Sequence, residues 1–143
     1  VPHCYLLTVC GGSSLDQQSN NVTLWNLVEQ VSLPPGTHPV GAILPLEIHA
    51  YFQIAPQELK QSLQFRFSLV AHTGLETTTD VFDHRALSLR YRTRTAGLPL
   101  PPVTGSYEIR VDWRHAGAEG WTREDIAWPL TITETDPRPV TTH

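Results

Sequence analysis

Apolar and polar side chains alternate through Leu63-Gln64-Phe65-Arg66-Phe67-Ser68-Leu69, and the pattern returns in Tyr107-Glu108-Ile109-Arg110-Val111-Asp112-Trp113. A period of two sends successive side chains to opposite faces of a strand, so each segment predicts a strand buried on one face. Residues 46–54 set Leu46, Ile48, Ala50, Phe52 and Ile54 against Glu47, His49, Tyr51 and Gln53. Residues 87–98 set Leu87, Leu89 and Tyr91 against Arg90, Arg92 and Arg94. Weaker strand signals cover 3–10, 22–33, 77–82 and 121–133, the second losing its phase near Asn26, where a bulge or an end to pairing is expected. The pattern predicts an all-β chain, an immunoglobulin-like antiparallel β-sandwich of seven or eight strands.

Turn residues punctuate these segments. Residues 11–21, from Gly11-Gly12 to Asn20-Asn21, read as a mobile polar loop. Pro56-Gln57-Glu58-Leu59-Lys60 supports one helical turn at most. Residues 106–115 and 121–133 predict a hairpin across the glycine-bearing loop 116–120. Pro129 donates nothing to a ladder, so its strand is expected at an edge or unpaired on that side. A single domain over residues 1–135 is expected, followed by a flexible tail over 136–143.

Composition narrows the functional classes. A chain of 143 residues supplies one core that buries about two-thirds of its unfolded surface. Ten basic residues stand against 14 acidic ones, a formal net charge of −4, which disfavours non-specific nucleic-acid binding. Nine of the ten basic residues are arginine and methionine is absent, which suggests a GC-rich bacterial gene. Tyr5-Leu6-Leu7-Thr8-Val9-Cys10 is loosely like a lipoprotein cleavage box, but no positive residue precedes it and Val9 stands where a small residue is needed. A first strand entering the core is the better reading. No membrane span and no membrane partner are expected, and the expected compartment is the cytoplasm, with Cys4 and Cys10 as free thiols.

Three sequence features together resemble a family of small uncharacterised bacterial β-sandwich proteins. The first is the cysteine-containing end of the initial strand, Leu6-Leu7-Thr8-Val9-Cys10; the second is Asn21-Val22-Thr23-Leu24-Trp25-Asn26-Leu27-Val28 after a polar loop. Leu98-Pro99-Leu100 before Gly105-Ser106-Tyr107 is the third. Gly11 departs from the pattern, where an acidic residue is expected after the cysteine. The resemblance implies a sandwich fold and carries no catalytic residues.

Arg90, Arg92 and Arg94 recur at alternate positions, so three guanidiniums project from one face about 7 Å apart, a row suited to an acidic protein surface. The competing reading is a solvated face, with the arginines crossing to acidic neighbours such as Glu108 and Asp112. Trp25 and Trp121 fall where the phase is doubtful and are candidate stacking platforms, whereas Trp113 and Trp128 keep step with the core. Asp80, Asp83 and His84 lie close together in sequence, but adjacent strand positions point Asp83 and His84 to opposite faces, so no metal is expected. Cys10 would be a nucleophile only beside a histidine. Neither a nucleophile elbow nor a cofactor motif is present. The resulting expectation is a non-catalytic, protein-binding module with an acidic partner; a carbohydrate-binding module using exposed tryptophan is the alternative. Homo-oligomerisation through an uncovered edge stays open.

Overall fold

A computed structural model describes residues 1–35 and 42–135. In chain order the strands are β1 (His3–Leu15), β2 (Val22–Leu27), β3 (Gln30–Leu33), β4 (Ile43–Gln53), β5 (Ser62–Ala71), β6 (Glu76–Thr78), β7 (Phe82–Arg85), β8 (Arg90–Pro99), β9 (Gly105–His115), β10 (Thr122–Arg123) and β11 (Trp128–Glu134). A 3-10 turn, Pro56–Glu58, is the short helical connection expected there. Two sheets pack face to face as a β-sandwich. One has the order β2-β1-β4-β8, and the other has β3-β11-β9-β5-β6, with β10 added on β9 and β7 on β5.

The strongest alternating segments lie at the centre of the larger sheet. β5 and β9 pair antiparallel from Leu63↔His115 to Ala71↔Tyr107, so Leu63, Phe65, Phe67 and Leu69 share a buried face with Ile109, Val111 and Trp113. From the facing sheet, Leu7, Val9, Ile48, Ala50 and Phe52 complete the core. Phe52 and Phe65 meet across the two layers with ring centroids 4.8 Å apart. Each such buried aromatic contributes about 1.5–3 kcal/mol through area removed from water.

The opposite face of the larger sheet carries an ionic network. Asp112 is 1% exposed. It accepts from Arg66 Nε at 2.9 Å and from Arg123 Nε at 2.8 Å, and Arg123 continues to Glu76 at 2.7 Å. β5, β6, β9 and β10 are thereby tied together on their outer side.

Several expectations are corrected. Residues 11–21 are not a mobile loop throughout, because β1 continues to Leu15 and forms a hairpin with β2. Gly11 eases the approach, because a Cβ there would lie 3.2 Å from the Asn26 side chain, whereas one at Gly12 would meet the Trp25 ring at an ordinary 3.4 Å. The turn is closed by Asn20 N donating to Asp16 O and Gln18 N to the Asp16 carboxylate. The phase loss near Asn26 marks the point where the chain leaves one sheet for the other, with Asn26 at φ 57°. β3 then runs parallel to β11, so the larger sheet is mixed. The expected fifth strand is two short ones on successive parts of β5, interrupted where Thr79 replaces ladder bonds through N–H to Phe67 O and through its Oγ1.

Strand β8 begins at Arg90, leaving Leu87 and Leu89 exposed instead of inward. β11 is an inner strand, yet its pairing with β3 starts only at Thr131, so Pro129 is bonded on the β9 side alone. Trp128 lies at the core margin, its Nε1 donating to Val28 O at 2.8 Å. Splitting and short additions raise the strand number among the described residues to eleven from the seven or eight expected. The tail 136–143 lies outside the described residues.

Candidate functional site

Register brings the arginine row onto one face of the smaller sheet. β8 pairs with β4 as Arg90↔Gln53, Arg92↔Tyr51 and Arg94↔His49, and β4 pairs with β1 as His49↔Thr8 and Glu47↔Cys10. Opposite residues in a ladder point the same way, so the arginines, Tyr51, His49, Glu47 and Cys10 share the face turned away from the core.

That face is roofed. Ser13, Ser14, Leu15 and Val22 from the β1–β2 hairpin meet His49, Tyr51, Arg92 and Arg94 around a cavity of about 460 Å³. Ser19, Asn20 and Asn21, at the hairpin turn, meet Tyr5, Tyr51, Arg90 and Arg92 around a second of about 600 Å³. Tyr51 and Arg92 line both, making one groove between the hairpin and β8. Hairpin closure explains why polar residues on the outer phase are buried: His49 is 2% exposed, Glu47 8% and Cys10 fully buried.

The electrostatics differ along the groove. At its inner end Glu47 accepts from Arg94 Nη2 at 2.5 Å, from Ser13 Oγ at 2.7 Å, and lies 2.9 Å from His49 Nε2. The Arg94 guanidinium foremost, then the Ser13 and His49 bonds, hold the Glu47 carboxyl down at about 2 against its burial. Burial pushes the Cys10 thiol up, and its Sγ contacts Gly12 O at 3.3 Å. A fully buried, protonated thiol is a poor nucleophile. Toward the other end, the Arg92 guanidinium lies 5.8 Å from the Tyr51 ring centroid, and burial raises the Tyr51 hydroxyl against the opposing charge of Arg92. Neither Arg90 nor Arg92 forms an ion pair with a carboxylate among the described residues. Two guanidiniums without a carboxylate partner among the described residues, beside tyrosine and asparagine, can grip an anionic group through charge-assisted hydrogen bonds.

The row expected from the sequence is thus present on one face, but its acidic neighbours are different. Glu108 and Asp112 belong to the other sheet, where Asp112 pairs with Arg66 and Arg123 and Glu108 approaches Arg110 at 3.7 Å. The guanidiniums of Arg66 and Arg114 lie 4.4 and 4.2 Å from the Trp121 ring, which is half-buried on the outer side of the larger sheet. Trp25 is 53% exposed on β2. Asp83 accepts from Gln64 at 2.7 Å, and the His84 ring packs edge-on to Phe65 and Tyr91. By contrast, Cys10, Glu47 and His49 place one ligand atom each within 4.8 Å of one another. Sequence reasoning assigned Glu47 and His49 correctly to the polar face of their strand but had no means of joining Cys10 to them. Its one available signal was the phase of Cys10, opposite to that of Leu7 and Val9.

Fold and groove together define a β-sandwich whose smaller sheet bears a covered, arginine-lined groove. Neither a family model nor a curated protein sequence matches this chain. No helix among the described residues is long and apolar enough to cross a membrane.

Proposed function

We propose that this protein is a non-catalytic binding module that takes up an extended acidic segment of a partner protein along β8. One observation carries the reading: β8 is an end strand of its sheet and also bears Arg90 and Arg92, which lack carboxylate partners among the described residues. An end strand presents backbone donors and acceptors to an added strand. Acidic residues at alternate positions of that strand would lie directly across from Arg90 and Arg92, where opposite charges attract. Backbone pairing supplies affinity, and the arginine spacing selects the sequence.

Fluorescence anisotropy with a labelled peptide of alternating glutamate and valine tests the proposal, alongside a glutamine counterpart and a version with proline at every second position. Binding of the glutamate peptide alone is expected, weakened by salt and by Arg92→Glu. Equal binding of the glutamine peptide overturns the role of the arginines, and equal binding of the proline peptide overturns strand addition.

Carbohydrate binding is the second reading, resting on the exposed Trp25 ring set against Gly12. Quenching of tryptophan fluorescence by polysaccharide, abolished by Trp25→Ala, would favour it. A bacterial, reducing cytoplasm suits the two cysteines, both free and buried and about 20 Å apart along one strand. The immunoglobulin-like assignment is supported by Tyr107, whose hydroxyl donates to the Val103 carbonyl four residues upstream at the start of β9, a corner that recurs in that class.

A further inference from the structure

The buried end of the groove has a chemistry that acidic-segment binding does not use. Cys10 and Glu47 are directly opposite in the β1–β4 register, and His49 follows on the same face of β4. Sulfur, imidazole nitrogen and carboxylate oxygen converge within 4.8 Å, all in buried residues. Among the described residues this is the group of three or more histidine, cysteine, aspartate or glutamate side chains close enough to share an ion.

We propose that Cys10 Sγ, His49 Nε2 and Glu47 Oε1 form a binding site for a divalent cation of the zinc class. Mixed sulfur, nitrogen and oxygen ligation suits an ion of borderline softness and is foreign to magnesium or calcium, which take oxygen ligands. Three protein ligands leave a fourth position of a tetrahedral ion unfilled. His49, with Ser13 and Arg94, lines the 460 Å³ cavity, which provides the entry path and room for a water molecule in that position.

The metal-free geometry is consistent with such a site. His49 Nε2 and Glu47 Oε1 are 2.9 Å apart, a hydrogen-bond distance in which an Nε2–H donates to the carboxylate on the line between two of the ligands. A cation takes the place of that proton, and the imidazole stays neutral by carrying its single proton on Nδ1 instead. The Cys10 S–H bond breaks as the sulfur–metal bond forms, releasing a proton to water. Arg94 is bonded to the other carboxylate oxygen, Oε2, and Ser13 to Oε1, so both act as outer partners that orient Glu47. Ion, thiolate and carboxylate sum to no net charge, and Arg94 leaves one positive charge at the cavity wall for an anion to meet.

Cobalt(II) is the probe, titrated into chelator-treated full-length protein and followed by absorption. One equivalent is expected to give a thiolate-to-cobalt charge-transfer band with the intense visible bands of tetrahedral coordination, both removed by zinc. Cys10→Ser is expected to abolish the charge-transfer band, whereas Cys4→Ser retains it. Ser13→Ala, which alters only an outer partner, is expected to weaken affinity about 10–100-fold. Absence of the band in the unaltered protein overturns the proposal, as does a band that survives Cys10→Ser or disappears with Cys4→Ser. Should Cys10→Ser fail to fold, X-ray absorption at the cobalt edge of the unaltered protein decides the same point: one sulfur neighbour is expected, and a shell of nitrogen and oxygen alone overturns the site. None of these outcomes depends on peptide binding.

Discussion

Replacing Asp112 with asparagine keeps the side-chain volume while removing the charge shared by Arg66 and Arg123. Both carboxylate oxygens are engaged: Oδ1 by Arg123, and Oδ2 by Arg66, with Arg123 Nη2 also at 3.3 Å. Removing one partner of a buried ion pair costs about 3–5 kcal/mol. The two arginine side chains are each 31% exposed and Arg123 keeps Glu76, so water and the remaining partner offset part of the loss. An expected cost of about 2–3 kcal/mol follows from these bounds. At about 2–4 °C per kcal/mol for a domain of this size, the melting midpoint should fall by about 4–12 °C. Urea unfolding followed by tryptophan fluorescence measures it directly, and the midpoint should drop without a change in m.

The loss should also depend on pH. Burial raises the Asp112 carboxyl, but the bonds from Arg123 and Arg66 outweigh it and leave the group below its ordinary value of 3.8. Its stabilisation is therefore complete above that value and drains away as pH falls through the lower folded value. The gap between variant and parent should close in acid. An Asp112→Asn protein within about 0.5 kcal/mol of the parent at neutral pH, the range of an ordinary surface change, would refute the claim that this network holds β5, β9 and β10 together.

Two more expectations concern the smaller sheet. Glu47 is held at about 2 against an ordinary 4.5, so the stability it lends is present above 4.5 and lost as pH falls toward 2; Glu47→Gln should flatten that acid limb in circular dichroism titrations of the urea midpoint. Gly97 on β8 sits at φ 98°, with Ile43 Cγ2 2.8 Å from where a Cβ would lie, so Gly97→Ala should cost about 1–3 kcal/mol in equilibrium unfolding; a neutral substitution would mean that the edge strand relaxes freely.

How far the sequence determined these features depends on whether each is local. Alternation placed Phe65, Phe67, Ile109 and Trp113 in the core and put Arg90, Arg92 and Arg94 on one face, because strand phase is local. The second strand of the hairpin roof was legible in Val22 to Leu27, but its partner, Gly11 to Leu15, has no apolar alternation; it is a strand through its pairing with β2, from Gly12↔Trp25 to Leu15↔Val22. With the roof unseen, Glu47 and His49 read as solvated. Asp112 and Glu108 were offered to the arginine row because facing charges can be inferred from phase, while sheet membership cannot. Leu87 and Leu89 fit the alternation of β8 and yet precede it, since periodicity does not show where a ladder ends.

The parallel pairing of β3 with β11 orders folding during synthesis. Ser32 and Thr133, which meet through their hydroxyls at 3.3 Å, are 101 residues apart in the chain. While the polypeptide leaves the ribosome, Val31 and Leu33 have no β11 to pair with until nearly all of the described domain has been made. β1, β2 and β4 can assemble earlier, but the larger sheet cannot gain its outer strand until then. A nascent chain paused before β11 would hold β3, with Val31 and Leu33, as an unpaired edge open to wrong partners.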